Sequence, residues 1–222
     1  MSEIIDSEDS GSRLMKAVQA IAIAPKDAKA IVDDYTEQAR SKGKNATDDQ
    51  IKLKVADKII SRYAKLAATS GGATALSGVI PGIGTAAAVL GGGSIDMALS
   101  IKFQVDMTMC LAFNFKNGLS DEDAVHMSYI IAISGALEKA GSAGATKIAS
   151  KAGVNMVNNY LKGAALTTIK QLFKAIGINF ARSSFTKAIP FGVGVVIGSA
   201  AGYGVTKFVG NQAREFFVID AD

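Results

Sequence analysis

The chain has 222 residues, 49% hydrophobic and 20% charged, with 23 glycines, one cysteine, one histidine and no tryptophan. The length makes one domain the default and allows a sizeable core, while a single Cys and a single His exclude an internal disulfide and the usual Cys/His zinc sites. The net charge of +4 hides a basic half: between Glu138 and Glu215 there is no acidic residue, yet Lys139, Lys147, Lys151, Lys162, Lys170, Lys174, Arg182, Lys187, Lys207 and Arg214 fall there.

In chain order, residues 1–11 are acidic and polar and predict a flexible tail. They have neither the basic start nor the apolar core of a secretory signal. Leu14, Val18, Ile21 and Ala22 recur at helical spacing and predict a first helix. Pro25 suits the first position of a second, with Ala28, Ile31, Val32 and Tyr35 on its apolar face and Ser41 to Asn45 ending it. Thr47 and Gln50 fit a capping box. Behind it, Ile51, Val55, Ile59, Tyr63 and Leu66 line one face of a third helix.

From Leu66 to Ile95 no residue is charged. Pro81 and Gly82 split this run into two limbs, because proline lacks the amide proton and disfavours helix just before it. A helical hairpin is expected there, with Gly78, Pro81 and Gly82 as packing or insertion residues. Its second limb should run from about Thr85 to Asn114, weakened at Gly91 to Gly93. Each internal glycine costs ~1 kcal/mol against alanine. Ser120 followed by Asp121, Glu122 and Asp123 predicts the capped start of the next helix, which continues to Lys139. Ile148–Leu161 and Leu166–Ile176 read as further helices, with breaks at Gly163 and Gly177 and a short turn from Asn179 to Lys187. A last helix follows Ile189-Pro190, and Gly194, Gly198 and Gly202 form a ridge that lets another helix approach closely. No segment alternates as a strand does. The expected fold is all-α: a multi-helix bundle with a central glycine-rich apolar hairpin and a C-terminal glycine-ridge helix, one domain over residues 12–217, then a short tail at 218–222.

Two blocks carry a resemblance. One runs from Ile80-Pro81-Gly82 through Asp96, Gln104 and Met107 to the turn from Phe115 to Glu122. The other runs from Ile189-Pro190-Phe191-Gly192 through the ridge, Thr206 to Gly210, and Ala213 to Phe217. Together they resemble the EcsC-like family of bacterial helical proteins, and are similar to a helical domain appended to some bacterial GTPases. The resemblance implies a membrane-associated helical protein and no catalytic mechanism. It places the chain in the bacterial cytoplasm, peripheral to or inserted in the inner membrane, although secretion without a signal would leave the same N-terminus.

Among chemical candidates, Asp96, Ser100, Gln104 and Thr108 lie four apart and form a polar row on an otherwise apolar helix. The row reads either as a track for an ion, headgroup or ligand, or as a hydrogen-bond network between helices. Asp96 in an apolar surround would be costly unless paired, or would cap the restart of its helix. Lys102 and Asp106 form a further pair four apart. Cys110 reads as a buried thiol and His126 as a surface residue beside Glu122 and Asp123. No GxSxG, HExxH, phosphate loop or dinucleotide fingerprint occurs, so neither an enzyme nor a cofactor is expected. Tyr160, Phe173, Phe180 and Phe185 fall at core spacing, which argues against nucleic acid. Lys147, Lys151, Lys162, Lys170, Lys174, Arg182 and Lys187 are the candidates for an anionic membrane surface, with a protein partner or self-association as further options. The expected function is binding to anionic lipid, with a version in which the glycine-rich helices insert to form a pore or act as an effector. The alternative is a soluble interaction module or hydrophobic-ligand binder.

Overall fold

The computed structural model describes residues 2–43, 45–69, 80–90, 95–142, 146–185 and 200–221. Among them are nine helices and no strand: α1 (Ser2–Ile21), α2 (Pro25–Lys42), α3 (Asp48–Thr69), α4 (Ile83–Leu90), α5 (Ile95–Phe115), α6 (Asp121–Lys139), α7 (Lys151–Leu161), α8 (Ala165–Phe185) and α9 (Ala200–Ile219). The all-α expectation therefore holds.

Local chemistry sets the helix ends. Pro25 opens α2 behind an extended Ala24, where its missing N–H costs nothing. At α3 the capping box is complete: Thr47 N donates to Gln50 Oε1 at 3.1 Å, and Gln50 N donates to Thr47 Oγ1 at 3.3 Å. Ser120 Oγ accepts from Asp123 N at 3.0 Å to start α6. Ser150 Oγ does the same for Gly153 N, also at 3.0 Å, so α7 begins at Lys151 rather than Ile148. Gly82 turns the chain into α4 with φ +80, and a β-carbon there would strike the carbonyl oxygen of Ala20. Only glycine meets both demands.

Helix α5 is the hub, packed by α1, α2, α3, α4, α6 and α9. Every residue from Ile101 to Ala112 is buried, as is every residue from Met127 to Leu137 on its neighbour α6. A helix covered on all sides has no polar face to keep. Around this pair, α3 and α9 run antiparallel, because Gly202 meets Ala67 and Gly210 meets Ile60. Helices α9 and α5 run parallel: Gly210 also meets Met107, and the rings of Phe217 and Phe115 stack at 5.9 Å. Thr69, Ile95 and Ala200 consequently lie at one end of the bundle. The acid-rich first turns of α3 and α6 lie at the other, beside the C-terminal end of α5, where Asn114 Nδ2 donates to the Lys52 carbonyl at 2.9 Å.

Several expectations change. Residues 2–11 are the opening turns of α1, not a tail. They pack on α8 through Gly11, so the segment has a surface to lie on. The expected second limb is two elements, α4 and α5, with residues 91–94 between them outside the described residues. Helix α8 runs unbroken through Gly177 to Phe185, since Gly177 is held against α1. The final residues are anchored as well: Val218 and Ile219 belong to α9, Asn158 Nδ2 donates to Asp220 Oδ1 at 2.8 Å, and Lys116 pairs with Asp220. Gly78, Gly194, Gly198 and Lys187 lie outside the described residues.

Candidate functional site

Three places gather the chemistry-bearing residues. The first lies inside the bundle. Lys102 and Asp106 sit one turn apart on α5 and form a buried ion pair. The other carboxylate oxygen of Asp106, Oδ1, accepts from the backbone N–H of Ile23 at 3.0 Å, in the link between α1 and α2. Burial pushes the Asp106 carboxyl up, while Lys102 and the Ile23 amide pull it back. One turn on, the Cys110 thiol lies 3.8 Å from the Tyr63 hydroxyl. Burial pushes Cys110 up to about 12 and raises Tyr63 and Tyr129 above the usual phenol value, with the charge of Asp106 adding to each. A thiol held protonated is a poor nucleophile. This cluster fastens helices together.

The second place is the polar row. Asp96 is exposed in the first turn of α5, not set in an apolar surround, so it needs no partner. Ser100 is half-buried and accepts from Gln104 Nε2 at 3.3 Å, and Thr108 Oγ1 donates to the Gln104 carbonyl at 2.8 Å. Those bonds stay within α5 and do not form the network between helices that the spacing allowed. Among the described residues, Gln104 Oε1 and Thr206 Oγ1 are both buried with no hydrogen-bond partner. The parallel register of α5 and α9 puts Thr206 level with Gln104. Thr206 was absent from the row read from sequence, because it lies on another helix.

The third place is the outer side formed by α7 and α8, which touch each other and both pack on α6. Lys147, Lys151, Lys162 and Lys170 are exposed, and Lys174 is half-buried. Arg182 falls in the last turns of α8. Some cations elsewhere have carboxylate partners, Lys29 with Asp121, Arg40 with Asp48, and Arg214 with Asp57, while exposed Lys26, Lys54 and Lys65 have none among the described residues. Among the described residues, Lys147, Lys151, Lys162 and Lys170 have none. The lysines do not form one cluster. Ile148 N donates to Glu138 at 3.2 Å, fixing Lys147 and Lys151 near the C-terminal end of α6, whereas Asn158 ties the far end of α7, towards Lys162, to Asp220. Lys162, Leu166, Lys170 and Lys174 continue four apart, with Leu166 51% exposed among them.

Between α1 and α8 lies a cavity of about 330 Å³ lined by Gly11, Ser12, Met15, Lys170, Phe173 and Lys174. The sequence alone does not point to it, because residues 1–11 read as a tail. The available signal was Ile4, Gly11, Leu14 and Val18 at helical spacing.

Of the glycines expected to bring helices together, Gly202 does so, since a β-carbon there would sit 2.7 Å from the Ala67 carbonyl oxygen. Pro81 and Gly82 form the turn before α4. Among the described residues no three His, Cys, Asp or Glu side chains group as a metal site, and no helix is long and apolar enough to cross a membrane. No family model, curated protein or solved structure matches the chain.

Proposed function

We propose that this is a non-enzymatic helical protein that binds anionic lipid surfaces through the side formed by α7 and α8. The observation that carries the proposal is the set of exposed lysines without carboxylate partners among the described residues, Lys147, Lys151, Lys162 and Lys170, in an acid-free stretch of chain. Each cation close to an anionic bilayer contributes ~1 kcal/mol. Leu166, exposed among them, adds an apolar contact of the kind that lies at a membrane interface. The uncharged sequences 70–79, 91–94 and 188–199 each adjoin in sequence the helix end marked by Thr69, Ile95 or Ala200, which supports a form in which glycine-rich segments enter the bilayer from that end. The resemblance to EcsC-like proteins points the same way, and no family match stands behind it.

The test is co-sedimentation with vesicles prepared with and without phosphatidylserine. Wild type is expected to sediment only with the anionic vesicles, and added salt should release it. Reversing Lys147, Lys151 and Lys170 to glutamate should weaken binding at least on the order of a hundredfold, three cations being worth about 3 kcal/mol. Equal binding by the reversed variant, or none by wild type, would sink the proposal. The second reading is a soluble interaction module or hydrophobic-ligand binder. It is favoured by Gly202, whose close approach is to α3 within the fold, and it gains if wild type ignores vesicles.

A further inference from the structure

Helices α5 and α9 meet along a seam that two contacts define. A β-carbon on Gly210 would lie 2.9 Å from Met107 Sδ, and the rings of Phe115 and Phe217 stack at 5.9 Å. Residues three or four apart share a helix face. Gln104 lies one turn before Met107, and Thr206 one turn before Gly210. Both therefore fall on the seam and, the helices being parallel, at one level. Gln104 is 2% exposed and Thr206 0%. The Gln104 amide nitrogen is engaged, donating to Ser100 Oγ at 3.3 Å. Thr108 spends its hydroxyl hydrogen on the Gln104 carbonyl at 2.8 Å. Gln104 Oε1 and Thr206 Oγ1 have no partner among the described residues, so they do not bond each other either.

We propose that a single water molecule bridges Gln104 Oε1 and Thr206 Oγ1 and is the polar joint between α5 and α9. The chemistry of the two atoms selects it. An amide oxygen only accepts, whereas a threonine hydroxyl both donates and accepts. A water that accepts the Thr206 hydrogen and donates one of its own to Gln104 Oε1 satisfies both. Two bonds of ordinary length span oxygens about 5 Å apart. A hard cation would ask for about six oxygens, and the seam offers two. Half-buried Ser100 and exposed Asp96, each a turn nearer the start of α5, carry the polar row outward and give the water a route of exchange. A bridging water is nearly as good a link as a direct hydrogen bond. It also lets solvent replace the joint bond for bond if the two helices part.

The test uses oxygen-17 relaxation dispersion of the solvent, which counts long-lived internal waters, on the full chain and three variants. Thr206→Val keeps the shape and removes the hydroxyl, and it should lose one long-lived water relative to wild type. Gln104→Met should lose the same one. Thr206→Ser keeps the hydroxyl and should retain it. In urea unfolding, Thr206→Val should lower the folding constant about fivefold, as loss of a buried hydrogen bond does. An undiminished water count in Thr206→Val, or a Thr206→Val protein as stable as wild type, would overturn the proposal. So would a loss of stability without loss of a water, which would mean that the two side chains meet directly. Should Gln104→Met fail to fold, the two Thr206 variants decide the matter.

Discussion

The backbone N–H of Ile23 donates to the carboxylate of Asp106 across 3.0 Å, joining residues 83 positions apart. Through that bond the chain link between α1 and α2 is tied to the centre of α5, where the same carboxylate meets Lys102. One buried side chain thus holds three helices in register.

Breaking that arrangement on one side should be severe. Asp106→Asn keeps an oxygen for Ile23 but leaves the Lys102 ammonium buried without its counter-charge, a loss of about 3–5 kcal/mol. Combining it with Lys102→Met removes the stranded charge and should restore a large part of the stability. Urea unfolding of the two single variants and the double variant gives the coupling directly. A single variant within about 1 kcal/mol of wild type would mean the pair contributes little.

The pH dependence has a definite sign. Burial raises the folded Asp106 carboxyl above its unfolded value, about 3.9 in an unfolded chain. Its contribution is therefore complete below that unfolded value and is lost as pH rises through the folded one. Compared with the Lys102→Met/Asp106→Asn variant, wild type should lose relative stability as pH rises above about 4. Melting temperatures of both proteins across that range decide it. A gap that moves in the opposite direction would show that the pair favours the ionised carboxylate.

Two glycines two positions apart on α9 should respond oppositely. A β-carbon on Gly202 falls 2.7 Å from the Ala67 carbonyl oxygen, while one on Gly204 meets nothing within 4 Å. Gly202→Ala should destabilise by about 1–3 kcal/mol through overpacking. Gly204→Ala should stabilise by roughly 0.5–1 kcal/mol through helix propensity. Equal shifts in the unfolding midpoint would contradict the close crossing of α3 and α9.

Cys110, fully buried and pushed up to about 12 by its surroundings, should resist a thiol reagent such as Ellman's in the folded protein. Labelling at pH 8 is expected to follow the rate of opening and to become immediate in denaturant. Rapid native labelling would reveal an open route into the core.

Much of the architecture was legible because local rules and tertiary packing agree. The capping box at Thr47, the Ser120 cap, Pro25 at the head of α2, and the face formed by Ile51, Val55, Ile59 and Tyr63 all follow from chemistry within a few residues. What failed depended on distant partners. Gly177 reads as a break until Gly11 is placed against it, and Gly11 reads as tail until α8 is present. Asp96 looks embedded because its neighbours are apolar, yet its own side of the first turn of α5 is exposed. Thr206 gained significance only from the parallel register that sets it level with Gln104. Lys147, Lys151, Lys162 and Lys170 are visible as charge in the sequence; their lack of carboxylate partners among the described residues is not, since pairing belongs to the folded chain.

The complete enclosure of Ile101–Ala112 on α5 and of Met127–Leu137 on α6 has an evolutionary consequence. Most helices tolerate substitution along one stripe and resist it along another, so a mutational scan across them rises and falls every three or four positions. Here the scan should be flat and low through both segments, two unbroken blocks of intolerance with no period. Drift in this molecule is confined to its outer staves.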